Sequence, residues 1–230
     1  MSFSEWKYIE ASLFCSKVTD GTHDSPKRQA IGKPLITSKH IKGRSIDFET
    51  AYLISQKDFD KINLRSHVDQ WDVLISMIGE YCGYCYIERN ETIDYAVKNV
   101  GIFKAGSKLK AEWIYYYLNS AEGRNVLTSL KSGTSQPYIS LGSLRMLPIL
   151  IPNTETEMER ITSILSSLDD KIELNRQTNQ TLETIAQTIF KEMCLPNGDV
   201  LEDGWRVAKL REVCDLIKGV SYHLSMIKLF

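Results

Sequence analysis

The sequence predicts an α+β fold: a mixed, β-rich globule followed by a long coiled-coil α-helix. Three observations carry this. Residues 1–105 hold short apolar runs broken by Gly and Pro, the pattern of strands joined by turns. Helical periodicity enters over residues 111–130. A ladder with alternating steps of four and three then runs through Ile161, Leu165, Leu168, Ile172, Asn175, Asn179, Leu182, Ala186, Ile189 and Met193 without a slip. Its period of 3.5 is that of a coiled-coil seam rather than an ordinary amphipathic stripe. The expected units are a globule at 1–152, a helix at 153–195 and the opening of a second globule at 196–230.

In chain order, Lys33 to Ile41 reads as a turn and strand. Val73–Gly79 and Cys82–Ile87 read as two strands around a Gly-marked turn, and Val97–Phe103 as another. Trp113, Tyr117, Leu118 and Ala121, then Val126, Leu127 and Leu130, mark a helical pair divided at Gly123. Lys131–Pro137 is a polar loop, and Tyr138–Leu150 returns in short strands.

The long helix has clear ends. Thr154-Glu155-Thr156-Glu157 has capping-box spacing, and its acids suit the positive end of the helix dipole. Pro196 is the stop. No Gly or Pro falls between 154 and 195, so the helix should run unbroken for about 58 Å. Residues 175–181 are all polar. A seam Asn there costs stability but can fix register and partner number. Such a seam cannot bury itself, so it calls for an opposing helix.

Charge is nearly balanced, at 28 basic against 29 acidic residues, which excludes a massively basic coat. The distribution is uneven: residues 1–150 carry 19 Lys/Arg and 16 Asp/Glu, residues 151–230 carry 9 and 13. Between 27 and 46, Lys27, Arg28, Lys33, Lys39, Lys42 and Arg44, with His40, meet no acid. That stretch suits a phosphate-tracking edge; on charge alone a solvated loop surface explains it equally well. Five scattered cysteines fit a reducing compartment, hence a cytoplasmic protein. No apolar run reaches membrane-span length, so no membrane partner is expected, and Met1–Glu5 does not open a signal peptide.

Enzyme motifs are missing. No two prolines are adjacent, as the Asp/Asn-Pro-Pro-aromatic loop of amino-methyltransferases requires. Gly32-Lys33 is followed by Pro34 rather than the Ser/Thr of a P-loop, and there is no Gly-x-Ser-x-Gly elbow. Cys82-x-x-Cys85 lacks a second ligand pair and lies in a strand-like run, and the histidines are isolated, so no metal site is expected. The chain also repeats itself: Trp6 precedes Cys15 by nine residues, and Trp205 precedes Cys214 by nine.

Residues 133–193 resemble the specificity subunit of type I restriction–modification systems. Gly133-Thr134-Ser135-Gln136-Pro137, Leu147-Pro148-Ile149 and Leu168-Asp169-Asp170-Lys171-Ile172-Glu173-Leu174-Asn175 carry the likeness. Asp20-Gly21-Thr22-His23, Leu35 to Lys39 and Ser76 to Gly79 resemble that family's target recognition domains, and Gly204-Trp205 through Cys214 the opening of another. The resemblance implies a non-catalytic subunit whose recognition domains each read half of a bipartite duplex DNA site. It implies docking to methyltransferase and restriction subunits. It implies no cofactor on this chain, with S-adenosylmethionine, ATP and Mg held by those partners. Family members usually carry two recognition domains and paired antiparallel helices; this chain shows one domain, one spacer helix and a second opening. The free seam then predicts an antiparallel homodimer reading two inverted half-sites.

The residues expected at DNA are the basic edge, with Thr37, Ser38, Lys39, His40 and Lys42 at its centre, and the polar loop with Thr134, Ser135, Gln136 and Tyr138. Gln136 suits adenine and Lys39 guanine; a structural loop amide would explain Gln136 as well. Two rival readings remain: a coiled-coil assembly protein without DNA binding, and an inactive truncated relic.

Overall fold

The computed structural model describes residues 6–133, 135–194 and 206–215. Strand β1 (Lys7–Glu10) leads into the single turn α1 (Ala11–Phe14) and β2 (Lys17–Asp20). Next come β3 (Lys33–Thr37), a 3-10 turn (Ser38–His40), β4 (Tyr52–Ile54) and helix α2 (Gln56–Ser66). Strands β5 (Asp72–Ser76), β6 (Cys85–Ile87), β7 (Ala96–Lys98) and β8 (Val100–Lys104) follow. Helices α3 (Lys108–Asn119), α4 (Ala121–Leu130) and α5 (Leu141–Arg145) precede β9 (Pro148–Ile151), the long α6 (Glu155–Cys194) and one turn, α7 (Leu210–Val213).

Three sheets result. An antiparallel sheet has the order β2-β8-β5-β6, a mixed one the order β4-β3-β7 with β3 and β7 parallel, and β1 pairs with β9 as a ribbon. The two-residue strand period sorts the apolar side chains into layers. Val73, Ile75 and Phe103 face Ile114 and Leu118 of α3 and Leu127 of α4. Leu74, Val100 and Ile102 face Ile36 and Val97 of the mixed sheet. On that sheet's far side Leu35, Ile54 and Ala96 meet Ile62 of α2.

The structure departs from the sequence reading at several places; the strand expected over Cys82–Ile87, for one, begins only at Cys85. Helix α2 lies within the region read as β-rich. Ser55 caps it by accepting the Asp58 N–H at 3.1 Å, and Phe59, Ile62 and Ser66 give it an inward face. The single strand expected at 97–103 is two, because Asn99 takes φ +54° and carries the chain from the mixed sheet into the antiparallel one. The helical pair divides at Ser120, whose side chain caps α4 by accepting the Gly123 N–H. Gly123 instead permits the close approach, since a Cβ there would lie 2.0 Å from the Tyr117 carbonyl oxygen. Finally, Tyr138–Leu150 includes the helix α5 as well as β9.

Helix α6 runs unbroken through the polar waist. The Thr154 hydroxyl accepts the Glu157 N–H at its start. The chain divides into two units, 1–172 and 173–230. Met158 and Thr162 of α6 are buried in the first unit, and Ile161 packs against its core. The later rungs Leu165, Leu168, Ile172, Asn175, Asn179, Leu182, Ala186, Ile189 and Met193 are exposed. No helix among the described residues is long and apolar enough to cross a membrane.

Much of 196–230 lies outside the described residues, so the expected second globule has no structural account. The described piece sharpens the repeat. In both copies a four-residue helix ends just before the cysteine: Cys15 N–H donates to Ala11 O, and Cys214 N–H to Leu210 O.

Candidate nucleic-acid interface

Asn99, at the crossing between the two sheets, lies between two adjoining recesses that it helps to line. Its carbonyl accepts the Ser38 hydroxyl at 2.6 Å. The same Ser38 oxygen accepts N–H groups from Met77 and Ile78 at 3.2 and 3.3 Å. Ser38 thus pins the 3-10 turn after β3 to the end of β5. Above this pin lies a recess of about 300 Å³, walled by Thr37, Lys39, Tyr81, Asn99 and Gln136 among others. A second recess, about 310 Å³, shares Ile78 and Asn99 and runs past Tyr138 to Asp20 and His23. A third, about 440 Å³, shares His23 and reaches Lys61 and Arg65 of α2.

The polar loop is held to the groove by backbone bonds. Ser132 and Tyr138 exchange N–H···O bonds at 2.9 Å, and the Gly79 N–H donates to Pro137 O. Gly133 makes the tight return at φ +83°, where a Cβ would also stand 2.7 Å from the Gln136 carbonyl oxygen. Gln136, Ser135 and Tyr138 are exposed at the rim. Thr134 lies outside the described residues.

The basic edge does not act as one patch. Lys39 lines the first recess, and Lys42 stands 3.8 Å over the ring of Tyr81, which walls it. Lys27 and Arg28 are exposed but line none of the three recesses; Arg28 lies over Tyr52 of β4. Lys33 is drawn to Asp94 at 2.6 Å. Arg44 is drawn to Asp169 of α6 at 2.5 Å. Two of the expected contacts, His40 and Ser38, are buried in this structure. His40 is fully buried, its Nδ1 accepting the Thr37 N–H, and burial together with Lys39 pushes its pKa down. It is a neutral clamp on the turn. Ser38 is buried as well, and its hydroxyl is committed to the pin.

The sequence reading missed the opposite wall. The His23 ring bridges Asn99 Oδ1 at 2.8 Å and Asp20 Oδ2 at 3.0 Å. The other oxygen of the buried Asp20 takes Arg65, whose guanidinium also donates to Gly21 O at 2.8 Å. Gly21 admits no side chain, since a Cβ would meet Val97 O at 2.2 Å. The Asp-Gly-Thr-His run was the available signal; its partner Asn99 lies 76 residues away and had none. Cys82 and Cys85 are buried. Burial pushes the Cys85 thiol up to about 12, which disfavours a reactive thiolate.

Arranged this way, three adjoining recesses carry amide, ammonium, imidazole and guanidinium groups, with the apolar side chains of Met77, Ile78, Ile139 and Leu141 lining the middle one. The polar groups are ones that pair with base edges and phosphates.

The family model for the type I restriction modification DNA specificity domain matches residues 5–184. The HindI specificity subunit of Haemophilus influenzae is 36% identical over 132 residues, covering 55% of this chain and 28% of that protein. The MjaIX specificity subunit of Methanocaldococcus jannaschii is 27% identical over 152 residues, covering 60% of this chain and 34% of its own. The chain thus spans about a third of the length of these curated relatives. A type I system S subunit from M. genitalium superposes with a TM-score of 0.56 at 16% identity, covering 84% of this chain and 48% of that one. A structure from work on complex assembly and conformational transition of the type I system gives 0.51 at 14% identity, covering 81% and 44%. At such identities the structural likeness speaks to the fold alone.

Proposed function

The chain belongs to the type I restriction–modification DNA specificity family, and on that premise we propose that it is a non-catalytic DNA-reading subunit. It recognises one half of a bipartite duplex site and delivers a methyltransferase subunit to it. One observation carries this reading: Lys39 and Gln136, nearly a hundred residues apart in sequence, share the wall of one recess. A Gln amide can pair bidentately with adenine and a Lys ammonium with guanine. The His23–Asn99 pair places further polar groups in the adjoining recess. S-adenosylmethionine chemistry, and ATP-driven restriction, belong to partner subunits in this reading, and the complex works in the cytoplasm.

Helix pairing with a second copy completes the proposal. Antiparallel alignment about Gln177 sets Asn175 against Asn179, Ile172 against Leu182, Leu168 against Ala186 and Leu165 against Ile189, while Ile161 stays with its own globule. Polar rungs then meet polar rungs and apolar meet apolar, which is what fixes register in a coiled coil. Such a dimer would read two inverted half-sites. Light scattering on the full chain at micromolar concentration should give twice the monomer mass; a monomer would remove the pairing from the proposal.

DNA reading is tested by methylome sequencing of a host carrying this chain with its methyltransferase. One bipartite motif should be modified, and Gln136→Ala should relax it at a single base, at a cost of about 1–3 kcal/mol in discrimination. An unchanged motif in the variant would sink the assignment of Gln136. An assembly protein without DNA binding would show no salt-dependent shift of duplex DNA in a gel.

A further inference from the structure

Beside the recess, a row of alternating cations and aromatic rings leads away over the surface. Lys42 Nζ stands 3.8 Å from the Tyr81 ring centre. The Tyr81 and Tyr84 rings meet edge to face at 5.6 Å. The Arg124 guanidinium covers the Tyr84 ring at 5.6 Å. The row is built rather than incidental, because three separate chain segments supply it: the loop after the 3-10 turn, the β5–β6 turn, and α4. Gly79 and Gly83 shape the middle segment at φ +82° and +93°. Arg124 is oriented from below, donating to Asn119 Oδ1 at 2.6 Å, while Asn119 Nδ2 donates to Cys85 Sγ and Tyr115 O.

We propose that Lys42, Tyr81, Tyr84 and Arg124 form a phosphate track that carries one DNA strand out of the reading recess. The inference rests on the DNA-reading function proposed above and says where the backbone lies. Tyr81 belongs to both structures, since it walls the recess and stands in the row. The row is therefore continuous with the groove instead of being a separate patch. The successive contacts set the two cations at most about 15 Å apart, enough to reach neighbouring phosphates of one strand. With one nitrogen given to Asn119, the guanidinium beside the Tyr84 ring retains further N–H donors that can grip phosphate oxygens. The aromatic rings add no base discrimination here; they hold the cations in place.

The test is fluorescence anisotropy of the full chain with a labelled random-sequence duplex, between about 50 and 200 mM salt. Lys42→Ala and Arg124→Ala should each flatten the slope of log affinity against log salt by about 0.9, and the double variant by about twice that. Tyr84→Phe should keep the slope and Tyr84→Ala should reduce it, because only the ring is needed. Lys7→Ala, on the β1–β9 ribbon, is the control and should change nothing. A salt-dependent wild type with an unchanged Arg124→Ala slope would overturn the track while leaving the reading groove intact. No duplex binding by the wild type, alone or with its methyltransferase, would overturn the DNA function itself. An unchanged slope with loss of methyltransferase co-purification would make the row a protein-docking face and also overturn the track.

Discussion

The β5–β8 core and the α6 ladder are written in the same alphabet of Leu and Ile, and their fates are opposite. Leu74, Ile75 and Ile102 are fully buried, whereas Leu168, Ile172, Leu182 and Ile189 each keep more than half of their surface open. Period decides between them. Alternation by two gives each core residue one of two neighbouring layers within its own chain. A narrow seam at 3.5 has no such layer to meet. Apolar content alone therefore says little about burial. The spacing says whether the partner is internal or external.

The largest test of this contrast is Phe103→Ala. Phe103 is fully buried against the helical layer, and its loss should cost about 3–5 kcal/mol in urea unfolding. A loss under about 1 kcal/mol would mean that the core is far looser than described. Asp72 gives a smaller, pH-dependent effect. Burial pushes its carboxyl from 3.8 up to about 6, despite Lys104 at 2.6 Å. The folded state therefore holds this proton more tightly than the unfolded chain. Its stabilising contribution is full below about pH 4 and is lost as pH rises through 6. Between pH 4 and 7, Asp72→Asn should gain on the wild type by about 2–3 kcal/mol. A constant difference across that range would remove the titration. The smallest stability change belongs to the ladder. Leu182→Asp should leave thermal unfolding of the globule within about 0.5 kcal/mol of the wild type, yet abolish self-association in light scattering. An intact dimer in this variant would move the interface elsewhere.

Legibility in the sequence followed locality. The unbroken α6 was readable because a cap, a stop and a clean period are all local signals. So was the polar loop closed by Gly133. Helix α2 carried a readable signal in Ser55 and Asp58, hidden beneath the β-rich appearance of its surroundings. The groove was readable only in part. Lys39 and Gln136 stood out by residue type. Asn99 did not, because its importance comes from a crossing between sheets that no window of sequence contains. Charge was the least reliable guide: Lys33 and Arg44 find Asp94 and Asp169 from distant segments, and His40 turns inward. A run of like charges in sequence fixes none of these pairings.

The β1–β9 ribbon has a consequence for grafting. Lys7 stands opposite Ile151 and Glu10 opposite Pro148, so the polypeptide arrives and departs at one doorway. Everything between, residues 11–147, is a cassette with adjoining ends, the geometry that tolerates transplantation. Any replacement cassette would have to keep the surfaces that meet Met158, Ile161 and Asp169 of α6.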